Sequence, residues 1–73
     1  MHLVIKTSFY PDNIYKFSGD NSKIKAEALF LQLFEEYGNN LDDYSQNYID
    51  GLLKDGRYEY SDNTWITIHE IAD

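Results

Sequence analysis

The chain has 73 residues, which is enough for one hydrophobic core, so we expect a single domain over residues 1–73. Hydrophobic residues make up 42% of the chain and aromatic residues 16%, and this composition excludes a disordered protein. The formal net charge of −7 argues against direct binding to nucleic acid or to an anionic membrane, because both require a basic protein surface.

Cysteine usage and the lengths of apolar runs give an expectation for location. The chain contains no cysteine, so neither a disulfide framework nor a thiolate metal site supports its fold. The start of the chain lacks the charged and apolar segments of a signal peptide. The longest apolar run, 28–31, is far shorter than the ~20 residues that cross a bilayer. We therefore predict a soluble protein of the cytoplasm.

The N-terminal part of the chain has the pattern of a β-hairpin. Residues 3–9 alternate between the two faces of a strand, with Leu3 and Ile5 on one of them. A turn that contains proline follows over 10–13, and 14–17 would be the partner strand. If the first strand lay at an edge of the sheet, it could pair with another chain.

The strongest helical pattern covers residues 23–37. Its apolar residues recur at i, i+3, i+4, i+7, i+8 and i+11, which places them on one buried face of an α-helix. The residues on this face are Ala26, Leu29, Phe30, Leu33, Phe34 and Tyr37. We expect Ile24, Ala28 and Leu31 to widen the buried face. Gly38 stands where a helix commonly ends with a left-handed residue.

A second helix is predicted over residues 41–54. Asn40 would cap it, and two aspartates would lie in its first turn, where negative charge meets the positive end of the helix dipole. Its buried residues would be Leu41, Ser45, Tyr48 and Leu52, bordered by Tyr44, Ile49 and Leu53. Gly51 weakens this helix by about 1 kcal/mol relative to alanine. Gly56 would end it.

The C-terminal part predicts a second hairpin. Residues 57–60 and 65–71 alternate as two strands, and the turn-forming residues 61–64 join them. In the last strand Ile66 and Ile68 share the face that we expect to be buried. The element order is therefore ββααββ, and the predicted fold is α+β: an antiparallel sheet, with four strands, and two helices packed on one face.

The acidic residues are concentrated in the later part of the chain. Residues 1–25 have a balance of +2, whereas residues 26–73 hold eleven acidic and two basic residues, a balance of −9. A helix would set Asp43, Asn47 and Asp50 in one row, because neighbours at i and i+4 lie ~5–6 Å apart. Such a row can imitate the phosphates of DNA, which supply one charge per ~1.7 Å of duplex axis. The candidate acidic residues for binding a partner are Glu35, Glu36, Asp42, Asp43, Asp50, Asp55 and Glu59.

Three aromatic residues, Tyr44, Tyr48 and Trp65, are candidate uncharged anchors for the same partner, because tyrosine and tryptophan are enriched at binding hot spots. Trp65 would point to the uncovered face of the sheet. The structural alternative is that Trp65 packs across strands on Tyr58 or Tyr60. The acidic residues also have a structural alternative, which is to serve solubility and the helix dipoles.

The sequence carries no strong catalytic or metal-binding pattern. The two histidines are His2 and His69, and His69-Glu70 lacks the second histidine of the zinc-protease pattern. Neither glycine-rich phosphate-binding pattern occurs, and the aspartates that follow Asn40 do not have the spacing of a calcium loop. We therefore predict a protein without enzymatic activity, cofactor or metal, and a small enzyme is the least favoured hypothesis.

Two functions fit these features. The first is an inhibitor that covers the basic nucleic-acid-binding surface of a partner protein by imitating DNA or RNA. Phage-encoded and mobile-element anti-restriction or anti-CRISPR proteins work in this manner, and the analogy is one of size and charge. The second is a protein–protein interaction module, such as a transcription regulator or an antitoxin, that binds through the open face of the sheet.

Overall fold

The computed structural model describes residues 1–8 and 12–72 and confirms the predicted α+β fold. Its elements are β1 (His2–Thr7), β2 (Asn13–Phe17), α1 (Ser22–Glu36), a short 3₁₀ helix (Leu41–Asp43), α2 (Gln46–Asp55), β3 (Arg57–Ser61) and β4 (Thr64–Glu70). Phe9 and the first half of the predicted turn over 10–13 lie outside the described residues. No helix in the described part of the chain is long and apolar enough to cross a membrane.

The four strands form one antiparallel sheet in the order β2-β1-β4-β3. The first strand is therefore central, so the expectation that it could lie at an edge is wrong. Its second neighbour is the last strand, with Val4 opposite Ile68 in the register. The edges belong to β2 and β3, and the pairing of β3 with β4 has an irregularity between Glu59 and Ser61.

The hydrophobic core lies between the sheet and the two helices. Its central residues are Val4, Ala26, Phe30, Leu33 and Ile66. As predicted, Ile66 and Ile68 face the helices: Ile66 is fully buried, and Ile68 packs against the core. On β1 the face that carries Val4 is the buried one, while Leu3 and Ile5 are half-buried on the opposite, open face of the sheet. The open face therefore keeps some apolar surface without a covering layer.

Helix α1 begins and ends close to the predicted residues, but its buried face is narrower than predicted. It begins one residue earlier than predicted, and Gly38 just beyond it has a φ of 90°, as its position predicted. The expectation that Ile24 and Ala28 widen the buried face is wrong, because Ile24 is 68% exposed and Ala28 is also exposed. Both lie two positions from the buried Ala26, and each position turns the helix by about 100°, so their side chains leave on the solvent side.

The second predicted helix is interrupted. The chain forms the 3₁₀ helix, is extended at Tyr44 and Ser45, and then enters α2. Each of the two segments begins with its own cap. Asn40 Oδ1 accepts a hydrogen bond from the backbone of Asp42 at 3.0 Å, at the start that the sequence predicted, and the break coincides with Ser45, whose Oγ accepts one from the backbone of Tyr48 at 3.1 Å.

The interruption changes which side of the second helix is buried. Ser45 is a cap rather than a core residue, Tyr48 is exposed, and Ile49 is the buried residue of α2. The predicted buried row through Ser45 and Tyr48 is therefore wrong, because the extended residues before α2 reset the helical phase. The left-handed Gly56, with a φ of 67°, ends α2 as predicted.

Candidate functional site

Six aromatic side chains form a continuous chain of contacts, which we call the aromatic cluster. In order of contact they are Tyr48, Tyr44, Phe34, Tyr58, Tyr37 and Tyr60. Tyr44 stacks on Tyr48 with 4.8 Å between ring centroids, and Phe34 meets Tyr44 at 5.4 Å in an edge-to-face arrangement. Phe34 is fully buried, while Tyr48 and Tyr60, at the two ends, are 46% and 56% exposed. The exposed rings are thus supported by a packed interior.

Asn39 fixes the connection between the helices to the aromatic cluster. Its Nδ2 donates to the carbonyl of Phe34 at 2.9 Å and to the hydroxyl of Tyr58 at 3.0 Å. Its Oδ1 accepts a hydrogen bond from the hydroxyl of Tyr44 at 2.9 Å. The carboxamide of Asn39 therefore links the end of α1, strand β3 and Tyr44. These bonds hold the connection between α1 and α2 against the end of α1.

The surplus of negative charge belongs to the helical side of the molecule and to loops. Residues 22–55 hold seven acidic and three basic residues, whereas the four strands together hold three basic and two acidic residues. The highest density lies in residues 35–55, which we call the acidic segment. Its acidic residues are Glu35, Glu36, Asp42, Asp43, Asp50 and Asp55, all exposed, and its one basic residue is Lys54.

The predicted row of carboxylates along one helix does not form. Asp43 lies in the 3₁₀ helix and is separated from α2 by the extended residues, so it is out of phase with Asp50. Asp50 accepts a hydrogen bond from Gln46 Nε2 at 2.8 Å within α2. The acidic segment instead carries two pairs of neighbours, at the end of α1 and in the 3₁₀ helix. The two pairs are joined by the short connection 37–40, which Asn39 ties to the carbonyl of Phe34 near the end of α1.

The stability of the helices does not explain why several carboxylates of the acidic segment lie where they do. Glu35 and Glu36 lie in the last turn of α1, which has no basic residue, and Asp55 is the last residue of α2. Carboxylates there face the negative end of the helix dipole, which is unfavourable by a few tenths of a kcal/mol to about 1 kcal/mol each. Asp42 and Asp43, in the first turn of the 3₁₀ helix, have the opposite, favourable placement.

An open groove of about 570 Å³ lies between the start of α1 and the end of α2, and we call it the interhelical groove. Leu53 and Ile68 supply its apolar lining, and Glu27, Asp50 and Asp55 stand around it. Despite these carboxylates, no group of three or more potential metal ligands comes together among the described residues.

Two of the ten predicted binding residues lie away from the others. Glu59 and Trp65 are opposite each other in the β3–β4 register and face the open side of the sheet. Trp65 is half-buried beneath Arg57, whose guanidinium carbon is 5.1 Å from the ring centroid. It does not pack on Tyr58 or Tyr60, because both belong to the aromatic cluster on the helical side.

Sequence reasoning missed the residues that support the site from within. Asn39 carries no pattern that distinguishes it from a loop residue, and its three partners lie five positions away, at Phe34 and Tyr44, or nineteen, at Tyr58. Lys6 also contributes, with its Nζ 5.4 Å from the ring centroid of Tyr37. The hydroxyl of Tyr37 is buried and makes no hydrogen bond to the described residues.

Comparison with protein-family models, curated proteins and solved structures finds no match to this chain. The fold and the site define a small α+β domain with an acidic segment on its helical side. Two exposed tyrosines, Tyr48 and Tyr60, pack on the other rings of the aromatic cluster.

Proposed function

We propose that this protein is a non-enzymatic inhibitor that binds the basic, nucleic-acid-binding surface of a partner protein with its helical side. The observation that carries the proposal is the acidic segment, which holds six exposed carboxylates, one lysine and the stacked pair of Tyr44 and Tyr48. Three of these carboxylates, those of Glu35, Glu36 and Asp55, stand where helix stability disfavours them. A binding role accounts for their positions better than a structural one does.

The carboxylates and the tyrosines have different tasks in this mechanism. Long-range attraction between the acidic segment and a basic surface raises the association rate and selects the partner. Aromatic side chains that become buried at the interface slow dissociation. Tyr48 is suited to this task because its ring is already stacked on Tyr44, which is in turn hydrogen-bonded to Asn39, so little side-chain freedom is lost on binding.

A protein that occupies such a surface competes with nucleic acid for it. This is the action of anti-restriction and anti-CRISPR proteins, and we propose that the protein belongs to that functional type, encoded by a phage or a mobile element. The same hypothesis includes a cytoplasmic location, where nucleases and transcription proteins act and where a chain without cysteine loses nothing to the reducing environment.

Competition by charge-matched variants tests the proposal. A partner captured from a bacterial lysate is titrated with the protein at 50 mM NaCl in the presence of a labelled nucleic acid that the partner binds. The wild-type protein should displace the nucleic acid, and 500 mM NaCl should weaken its binding steeply. The double reversal Asp42→Lys/Asp43→Lys should weaken binding by about tenfold or more, because two contacts become repulsive.

The matched control is Asp20→Lys/Asp62→Lys, which changes the net charge equally in two exposed loops outside the acidic segment. Its affinity should stay within about threefold of wild type. An equal loss in both double variants would show that only net charge matters and would refute a defined acidic site. Simultaneous binding of protein and nucleic acid to the partner would refute the competition.

The open face of the sheet supports a second candidate function, that of a protein–protein interaction module such as a transcription regulator or an antitoxin. Ile14 on this face is 57% exposed, and Leu3, Ile5 and Trp65 on the same face are half-buried. Under this alternative, Trp65→Ala abolishes binding to the captured partner while Asp42→Lys/Asp43→Lys leaves it unchanged.

A further inference from the structure

Helix α1 carries an apolar stripe on the side that faces away from the sheet. Ile24, Ala28 and Leu31 are spaced at i, i+4 and i+7, so they share one flank of the helix. Among the described residues Ile24 is the most exposed large hydrophobic one, Ala28 is exposed, and Leu31 is half-buried against the core. Ile24 and Ala28 therefore stay in water, although α1 already has a complete buried face.

The stripe runs beside the interhelical groove. Glu27, which lines the groove, lies on α1 between Ile24 and Leu31, and Leu53 of α2 provides apolar surface on the other side. Because Glu27 is the i+3 neighbour of Ile24 and the i−4 neighbour of Leu31 on the surface of α1, the stripe adjoins the groove, and we call the two together the apolar track.

Charged residues surround this track on both helices. Glu27 stands on the α1 side, and Asp50 and Asp55 stand on the α2 side. Lys23 and Lys54 also line the groove, each four positions from a carboxylate, at Glu27 and Asp50 respectively. With Glu70 at the end of β4, four acidic residues and two lysines line the groove, and Lys25 adds a third, exposed lysine next to Ile24. The acidic residues still exceed the lysines by one, and their excess around the groove itself favours a cationic ligand.

We propose that this apolar track binds a basic amphipathic helix of the partner protein. Such a helix presents apolar residues at i, i+3, i+4 and i+7, which can contact Ile24, Leu31 and Leu53, and its flanking lysines and arginines meet the carboxylates of the rim. This inference rests on the proposed function and specifies the kind of surface that the partner offers. A second copy of this chain is disfavoured as the occupant, because each copy carries a net charge of −7.

Two synthetic peptides test this inference. One has 18 residues of leucine and lysine with leucine at the helical spacing, and the other has the same composition with the leucines scattered around the helix. Binding of each to the full chain is measured by isothermal titration calorimetry at 150 mM NaCl. The amphipathic peptide should bind about tenfold more tightly than the scrambled one, because only it can bury its leucines against the track.

A pair of isoleucine variants locates the binding site. Ile24→Asp should weaken binding of the amphipathic peptide by about tenfold, although the added carboxylate by itself would attract a basic peptide. Ile14→Asp is the matched control, since it makes the same change at an exposed isoleucine on the open face of the sheet. Its affinity should stay within about threefold of wild type. Thermal unfolding monitored by circular dichroism verifies that both variants fold.

Equal affinity for the two peptides, or an equal loss in the two isoleucine variants, would overturn the inference. The result also separates it from the proposed function. If the peptides fail to discriminate while the captured partner still depends on Asp42 and Asp43, the helix-binding track is refuted and the acidic site stands. If the amphipathic peptide binds at Ile24 but the partner is insensitive to both aspartates, the proposed function is refuted instead.

Discussion

At the scale of single residues, two glycines five positions apart in the chain, Gly51 and Gly56, show opposite physical demands. Gly56 ends α2 with a left-handed φ of 67°, its N–H donates to Leu52 O, and its carbonyl accepts from the N–H of Ile68 at 2.9 Å. A Cβ at Gly56 would lie 3.3 Å from the carbonyl oxygen of Ile68. Gly51, inside α2, has ordinary helical backbone and open space around its missing Cβ.

Alanine substitutions at these two glycines should therefore change stability in opposite directions. Gly56→Ala should lower the free energy of unfolding by about 1–2 kcal/mol, because a left-handed conformation is costly for any residue with a Cβ. Gly51→Ala should raise it by about 0.5–1 kcal/mol, because alanine loses less backbone entropy in a helix. Urea unfolding followed by circular dichroism measures both changes. A stabilising Gly56→Ala would contradict the close approach of α2 to β4.

Single residues also differ in whether their role can be predicted from the local sequence. The glycine after each helix is predictable, because a left-handed residue is a property of the helix end itself. Asn39 is not predictable in this way. Its role depends on Tyr44 and Tyr58, whose positions follow only from the assembled fold.

At the scale of elements, the alternation in the C-terminal hairpin predicts both strands to within one residue at each end. A strict two-residue period is typical of a strand and does not fit the 3.6-residue period of a helix. The second helix shows the limit of the same reasoning. A helical period can be drawn through Ser45 and Tyr48, but Ser45 also favours a cap, and the local capping hydrogen bond wins. The acidic site inherits this error, since Asp43 and Asp50 do not share a helix.

The two helix starts provide a test of this explanation. Ser45→Ala should lower the free energy of unfolding by about 1 kcal/mol, because it removes the bond that Ser45 Oγ accepts from the N–H of Tyr48. Asn21→Ala is the control at the start of α1, where the Asn21 side chain makes no capping hydrogen bond in the described structure. Its effect should stay within about 0.5 kcal/mol. Equal losses in chemical unfolding would show that Ser45 acts by something other than its cap.

At the scale of the whole molecule, strand order is the feature that the sequence could not provide. The first and last strands are neighbours, and the N-terminal amine donates to the carbonyl of Ile71 at 3.1 Å. Local periodicity carries no information about a contact between residues so far apart in the chain. The partition of charge is foreseen only in part, because residues 26–73 include most of the helical side but also β3 and β4, which hold two of the acidic residues.

Concentration of carboxylates on one side predicts how stability responds to salt. The acidic segment has six exposed carboxylates against one lysine, so its charges repel one another more in the folded chain than in an expanded one. Screening over a Debye length of about 10 Å at 0.1 M salt weakens that repulsion. The free energy of unfolding should therefore rise by roughly 1 kcal/mol between 10 and 200 mM NaCl in urea titrations. Asp42→Asn/Asp43→Asn should flatten this rise more than Asp20→Asn/Asp62→Asn does. Equal flattening by the two double variants would mean that the repulsion is spread over the whole surface and that the acidic segment is not its source.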